Sequence, residues 1–227
     1  MKICIHQPQY MPWLGYLDKI NSSDRFVVLD DVQYNKREFQ NRNRIRTPQG
    51  SAWLTAPVMV KGNYLQKINE VKINNSINWR EDHIKALELN YSKSDFFDRF
   101  FPDLKKIISV PREFLRELNM AVIEYMLDVF RINTPHIYSS QFGINSTKTE
   151  RIIDICKKTG AGTYLSGRGA AEYLDEHRFS EESIELEYQD FIHPEYKQCY
   201  SGFISHMSAV DYLFNCGTSL FSDTGSE

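Results

Sequence analysis

Apolar and polar positions alternate in a way that predicts several short strands in the first third of the chain. Residues 2–6 and 25–29 are short apolar runs typical of buried strands. Residues 40–46 and 52–60 alternate around a Pro-Gln-Gly turn, and residues 65–73 alternate again. We therefore expect a mostly parallel or mixed sheet.

Helical spacing of apolar residues dominates the later part of the chain. Thr147 and Glu150 have the spacing of a capping box, and Gly160 closes the helix that follows. Helices are predicted over residues 13–21, 79–91, 114–129, 148–159, 170–176 and 209–214. Further strands are predicted at 163–165 and 184–188. The predicted fold class is α/β: a Rossmann-like, mostly parallel or mixed sheet flanked by helices, with a helical C-terminal half.

Length and charge narrow the class of protein. A chain of 227 residues suits one core, so we expect a single α/β domain over residues 1–221 and a disordered tail over 222–227. No stretch reaches membrane-helix length and the start lacks a signal peptide, so we expect a cytoplasmic protein with no membrane span. A net charge of -3 disfavours general nucleic-acid binding. The four cysteines form no C-x-x-C pair, and we expect reduced thiols and no metal site.

The most polar loop follows the first predicted strand. Residues 6–16 read His-Gln-Pro-Gln-Tyr-Met-Pro-Trp-Leu-Gly-Tyr. Prolines stiffen this loop, Gly15 permits close backbone approach, and the start of the next helix offers free N–H groups to a phosphate or carboxylate. We expect a ligand here. The alternative is a turn filled by core aromatic residues, with His6 bonded to the backbone.

Three further segments carry candidate chemistry. The carboxylates at 30–31 suit an amine or a cation, and the arginine of Asn-Arg-Asn at 41–43 suits an anion. Ser-Gly-Arg-Gly at 166–169 suits an oxyanion, and His193 begins a loop with a potential general base. The alternatives are that the 30–31 carboxylates cap a turn, that 166–169 is only a tight turn, and that His193 is structural. The basic cluster within 36–46 is either an anion site or a solvated face.

Taken together, these segments resemble the WbqC-like family. The resemblance is carried by H-Q-P-x-Y-x-P-W-x-G-Y with Lys19-Ile20, by L-D-D-V-Q at 29–33 with N-R-N, by K-T-E-R at 148–151, by Y-L-S-G at 164–167 and by P-E-Y-x-Q at 194–198. It covers nearly the whole chain. Lys197 and Cys199 depart from the pattern around Gln198.

The resemblance implies a function. Family members occur among genes for bacterial O-antigen, a part of lipopolysaccharide, or other surface polysaccharides, and some are described as glycine or aminoacyl transferases acting on amino sugars. It thus implies a transferase or ligase that forms an amide bond by adding an aminoacyl or acyl group to a nucleotide-linked amino sugar. Two alternatives stay open: a non-catalytic sugar-nucleotide-binding protein of the same pathway, and an adenylating enzyme.

The adenylating alternative rests on a likeness at the level of the fold. The opening strand, loop and helix are similar to those of nucleotidyl-transferases and pantoate-ligase-like enzymes, where an H-x-G-H turn holds the ATP phosphates. Here Trp and Tyr stand at the two histidine positions around Gly15. An indole and a phenol carry no positive charge toward a phosphate, which weakens this alternative.

These considerations assign roles to specific residues. The three expected catalytic residues are His6, Asp30 and Arg168. We expect His6 to act as general base, Asp30 to orient an amine or cation, and Arg168 to bind an anion. The expected substrate-binding residues are Gln7, Tyr10, Trp13, Tyr16, Lys19, Asn41, Arg42, Asn43, Ser166, Gly167, His193, Tyr196 and Gln198. The cofactor is unspecified. ATP or a nucleotide-activated sugar is a candidate substrate, the partners are small molecules including an acyl or aminoacyl donor, and a homodimer is left open.

Overall fold

A computed structural model describes residues 1–172 and 174–221, which pack into two compact units. The first unit contains Met1–Gln7, Asp18–Asp31 and Asn133–Ile192. The second contains Pro8–Leu17, Val32–Ile132 and the described residues from His193 onward. The tail predicted over 222–227 lies outside the described residues. The single domain over 1–221 stays a prediction.

The secondary structure alternates between strands and helices. The strands are β1 (Lys2–His6), β2 (Arg25–Val28), β3 (Arg42–Thr47), β4 (Gly50–Thr55), β5 (His136–Tyr138), β6 (Thr163–Ser166) and β7 (Glu185–Tyr188). The helices are α1 (Leu14–Asn21), α2 (Trp79–Tyr91), α3 (Phe97–Ser109), α4 (Leu115–Val129), α5 (Lys148–Thr159), α6 (Glu176–Glu181) and α7 (Ala209–Cys216). Among the described residues, none of the helices is long and apolar enough to cross a bilayer.

The first unit is built on a five-stranded sheet in the order β5-β2-β1-β6-β7, and all four pairings are parallel. The predicted Rossmann-like α/β class is therefore confirmed. Ile3 and Ile5 alternate along β1 and pack with Ile153 of α5 and Phe179 of α6 in a buried core. The short apolar runs recognised in the sequence form strands because they are covered by helices.

Some local predictions were wrong. The strand predicted at 65–73 is instead a 3-10 turn at Ile68–Glu70 with only isolated bridges on either side, so its alternation does not reflect a ladder. The helix predicted to begin at Ala170 is not observed there. Arg168–Ala170 is a 3-10 turn, and α6 begins at Glu176 after Asp175, whose carboxylate accepts from the backbone N–H of His177. The side chain of Thr147 makes no cap bond, although α5 begins and ends as predicted, with Gly160 in the left-handed conformation.

The second unit combines an antiparallel hairpin with helices. β3 pairs with β4 through the register Thr47↔Gly50 to Arg42↔Thr55, and Gly50 adopts a φ of 122° in the turn. An aromatic cluster of Tyr91, Phe97, Phe101 and Phe214 joins α2, α3 and α7 in the core. Phe97, Phe100 and Phe101 are buried and thus serve as packing groups.

Candidate functional site

The sheet of the first unit has a topological switch point between β1 and β6. Counted along the chain, its strands lie in the order third, second, first, fourth, fifth, so the connections diverge on either side of β1 and β6. Ligands of open α/β sheets bind in the crevice beyond the carboxyl ends of the strands at such a point. His6 ends β1 and Ser166 ends β6, with Gln7 and Gly167 directly after them. Four predicted site residues therefore share this edge.

His6 and Lys19 are the two titratable side chains next to the end of β1. Nδ1 of His6 lies 3.0 Å from the carbonyl oxygen of Gln7. Lys19 is only 4% exposed, and its ammonium donates to the carbonyl of Ile5 at 3.3 Å. Within the described residues, it forms no ion pair with a carboxylate. Burying an ammonium group without a counter-charge lowers the free energy of unfolding, so Lys19 destabilises the fold.

Burial sets the protonation of both groups. Burial and, to a smaller extent, the nearby Lys19 charge together lower the pKa of His6 to about 3. Burial also lowers the pKa of Lys19 to about 8. At neutral pH His6 is therefore a neutral imidazole, and Lys19 is charged but close to its own titration.

Asp30 and Asp31 tie the end of β2 to the residues that follow β5. Asp30 is fully buried and accepts hydrogen bonds from the backbone N–H and hydroxyl of Ser140, at 3.0 and 2.9 Å, and from the hydroxyl of Ser139 at 3.3 Å. Asp31 pairs with Arg151 at 2.5 Å and also accepts from Ser139. Burial raises the pKa of Asp31, but the hydrogen bonds from Arg151 and Ser139 bring it below its usual range. Both carboxylates thus hold the sheet edge together.

Arg168 lies on the surface beyond β6. Its Nε donates to the carbonyl of Gln189 at 3.1 Å, and its guanidinium pairs with the exposed Asp190. The side chain of Gln189 in turn donates to Asp18 of α1 at 2.6 Å. Sequence reasoning missed Asp18 and Gln189, because only the fold brings these two distant side chains together.

The second unit contains a stack of aromatic rings around Trp13. The indole lies 5.1 Å from the His206 ring and 6.4 Å from the His193 ring, and the two imidazoles are 5.0 Å apart. The backbone N–H of His206 donates to Nε2 of His193 at 3.2 Å. Burial lowers the pKa of His193. Sequence reasoning missed His206, and also Phe203, which lies 5.8 Å from His193.

Several predicted binding residues are instead engaged within the second unit. Tyr10 and Tyr16 are fully buried, and the hydroxyl of Tyr10 lies 2.9 Å from Nδ1 of His83. Asn43 donates to the carbonyl of Met11 at 2.7 Å, and Asn41 donates to that of Ala56 at 2.8 Å. These residues shape the loop rather than offer free polar atoms.

Asp211 is the centre of a buried network that uses two more predicted residues. Its carboxylate accepts from Tyr196, Gln198 and Tyr91, each at 2.7 Å. Burial raises the pKa of Asp211, and these donors lower it in part. The segment 195–203 beyond this network lines a cavity of about 670 Å³.

The basic residues of the hairpin are of two kinds. The guanidinium of Arg42 stacks 4.2 Å from the exposed Trp53 ring, and it also donates to the carbonyl of Arg37. Arg46 is buried and donates to backbone carbonyls that include those of Gly50 and Ser201, at 2.8 and 2.7 Å. Arg46 is therefore structural, while Arg42 keeps an accessible face. Over the described part of the chain, no cluster of three or more His, Cys, Asp or Glu is placed to hold a metal ion.

Comparison with known proteins decides the family. The model of the WbqC-like protein family matches residues 7–222. The chain belongs to the WbqC-like protein family. This WbqC-like chain is also 38% identical over 218 residues to "Uncharacterized protein Rv1507c" of Mycobacterium tuberculosis. The aligned segment covers 95% of this chain and 94% of that protein. No solved structure matches the chain. The resemblance recognised in the motifs is thus confirmed.

Proposed function

We propose that this WbqC-like protein is a transferase or ligase of bacterial surface-polysaccharide (O-antigen) biosynthesis. It adds an aminoacyl or acyl group to the amine of a nucleotide-linked amino sugar. Family membership supports the pathway. The observation that carries the reaction is the position of His6 and Ser166 at the switch point of the parallel sheet, where such folds bind nucleotides.

In this proposal His6 receives the proton of the sugar amine. A neutral imidazole has one ring nitrogen that acts as an acceptor, and burial of the ring, aided by the Lys19 charge, keeps it neutral at pH 7. His6 is a weak base, but the amine nitrogen becomes strongly acidic once it bonds to the acyl carbon. The proton therefore passes to His6 as the amide forms, while the leaving group of the acyl donor departs with the bond electrons.

The remaining polar groups of the edge serve substrate binding. The backbone N–H groups after Ser166 suit a phosphate or carboxylate, and Gln7 offers an amide to sugar hydroxyls. Arg168 is held at the surface through Gln189 and Asp190, where it attracts an anionic substrate. Asp30 acts from behind by fixing the residues after β5, since its carboxylate is buried and bonded to Ser140.

A non-catalytic sugar-nucleotide-binding role is the second candidate, and the Trp13 stack favours it. Aromatic rings at about 5 Å spacing pack on sugar and base rings without any proton transfer. An adenylating enzyme is disfavoured by the missing positive charge in the first loop.

A ligand screen followed by a mass assay tests the proposal. Thermal unfolding is measured with nucleotide-amino sugars, aminoacyl donors and ATP, with and without Mg²⁺; a ligand at 100 times its Kd stabilises the fold by about 2.7 kcal/mol. The sugar that binds is then incubated with donors and its mass gain is recorded. His6→Asn should abolish the gain while binding persists, and the exposed His177→Asn is the matched control. Binding without any mass gain would favour the non-catalytic role.

A further inference from the structure

An exposed apolar turn follows the hairpin in the second unit. Met59, Tyr64 and Leu65 are well exposed, and Leu65 reaches 81%. Single exposed apolar residues are ordinary, but three within nine residues are a candidate interaction surface. We call residues 59–67 the basic-apolar turn.

The backbone of the basic-apolar turn is held by hydrogen bonds. The side chain of Gln33 donates to the carbonyl of Tyr64 at 3.0 Å, and the N–H of Tyr34 donates to the carbonyl of Gln66 at 3.0 Å. The side chain of Gln66 closes the turn by donating to the carbonyl of Met59 at 3.2 Å. The turn therefore presents its apolar side chains to solvent in a fixed arrangement.

Lysines that form no ion pair among the described residues lie in the turn and beside it. The ammonium of Lys36 lies 4.8 Å above the ring of Tyr64. Lys61 and Lys67 belong to the turn itself, and both are exposed. Within the part of the chain that the structure describes, none of these lysines forms an ion pair. Nearby, Glu70 is turned back to the backbone N–H of Lys67. The turn thus combines apolar tips with a positive field.

We propose that the basic-apolar turn docks on the surface of an anionic lipid bilayer. Leu65 and Met59 enter the boundary between headgroups and acyl chains, Tyr64 lies at headgroup level, and the lysines contact lipid phosphates. Apolar insertion combined with basic residues is what interfacial binding requires, since either alone holds a protein weakly. Three side chains are too few to bury the roughly 800 Å² that a stable protein partner needs on each side.

Vesicle co-sedimentation of the full chain tests this proposal. Vesicles of phosphatidylcholine with about one third phosphatidylglycerol are compared with pure phosphatidylcholine, at low and high salt. Leu65→Ser is matched by Leu89→Ser, because Leu89 is 80% exposed on α2. Lys36→Gln with Lys61→Gln is matched by Lys85→Gln with Lys93→Gln, which removes the same charge elsewhere on the second unit. Thermal melts establish that each variant is folded.

We expect binding to the anionic vesicles that high salt weakens. Loss of one lysine near the surface should weaken binding about five-fold, so the Lys36/Lys61 variant should lose about 25-fold. Leu65→Ser should lose about ten-fold, and both control variants should bind like the parent. No binding to anionic vesicles, or equal losses in the controls, would overturn the proposal. Self-association that Leu65→Ser abolishes, without vesicle binding, would assign the turn to a second copy instead.

Discussion

The indole of Trp13 fills the space in which a side chain at Gly15 would lie, because a Cβ at Gly15 would come within 2.2 Å of Trp13 Cη2. The W-x-G spacing is therefore a packing requirement. It fixes the ring that contacts His193 and His206.

Gly15→Ala should displace the Trp13 ring. Overpacking of this kind costs about 1–3 kcal/mol, so the free energy of unfolding in urea should fall by that amount, with a change in tryptophan fluorescence. Gly162→Ala is the control, since nothing lies within 4 Å of a Cβ there. Equal effects of the two substitutions would contradict the packing role.

Stability should fall as the pH falls from about 6.5 to 5. Burial lowers the pKa of His6 to about 3 and that of His83 to about 4, while unfolded histidines take up protons near 6.5. The unfolded state then binds more protons, so each histidine removes about 2 kcal/mol of stability by pH 5. His6→Asn should flatten this slope, as measured by urea unfolding at each pH. A slope that His6→Asn leaves unchanged would show that His6 is not held neutral.

Lys19→Met should stabilise the fold at pH 7. Burial lowers the pKa of Lys19 to about 8, so the folded state carries a buried charge below that pH. This charge lowers the free energy of unfolding. The loss is relieved as the pH rises from 8 toward the pKa of lysine in the unfolded chain. Removing the charge should add about 2 kcal/mol to the free energy of unfolding, and activity should drop. The exposed Lys158→Met should leave stability nearly unchanged. Destabilisation by Lys19→Met would contradict the unpaired state of its ammonium.

Arg151→Met should strongly destabilise the first unit. It leaves the Asp31 carboxylate, whose side chain is only 8% exposed, without its partner at 2.5 Å, and breaking a buried pair costs about 3–5 kcal/mol. Because pairing lowers the pKa of Asp31, the contribution of the pair is present above the unfolded value near 4 and is lost as the pH falls below it. Arg178→Met removes an arginine that pairs with Glu150 and is much more accessible, at 35% exposure, so it should have a much smaller effect in thermal unfolding. Similar losses in both variants would argue against a structural role for Asp31.

Tyr196→Phe should weaken the Asp211 network without dissolving it. Asp211 keeps two donors, Tyr91 and Gln198, when the hydroxyl of Tyr196 is removed. The expected loss is about 1–2 kcal/mol of unfolding free energy, measured by urea titration. Tyr200→Phe is the control, since its hydroxyl makes only long contacts with Asn90 at 3.3 and 3.4 Å. No difference between the two variants would mean that Tyr196 is not bound by Asp211.

Local signals were enough for many elements of the fold. The apolar run of β1 and the Gly160 terminus of α5 are written in adjacent residues, and both were placed correctly. β5 spans only His136–Tyr138, too short for any periodicity, and it exists because it pairs with β2. The strand order likewise depends on pairing between distant segments, which composition does not encode.

The candidate site was only partly readable from the sequence. His6, Ser166 and Gly167 follow predicted strands, so their common edge could be anticipated. The sequence does not show whether a polar side chain is exposed or hydrogen-bonded inside the protein. Tyr10, for example, is buried with its hydroxyl against His83. His206 escaped notice because only the fold brings it beside Trp13.

The most direct test of the account is an NMR titration of the isotope-labelled chain with a nucleotide-linked amino sugar. Binding at the switch point should produce saturable shifts at the backbone amides of Gln7, Ser166 and Gly167 and at the His6 ring, with little change at Asp24 or Gly162 near the opposite ends of the strands. Shifts confined to other regions, or none at substrate concentrations that saturate thermal stabilisation, would contradict the assignment of the site.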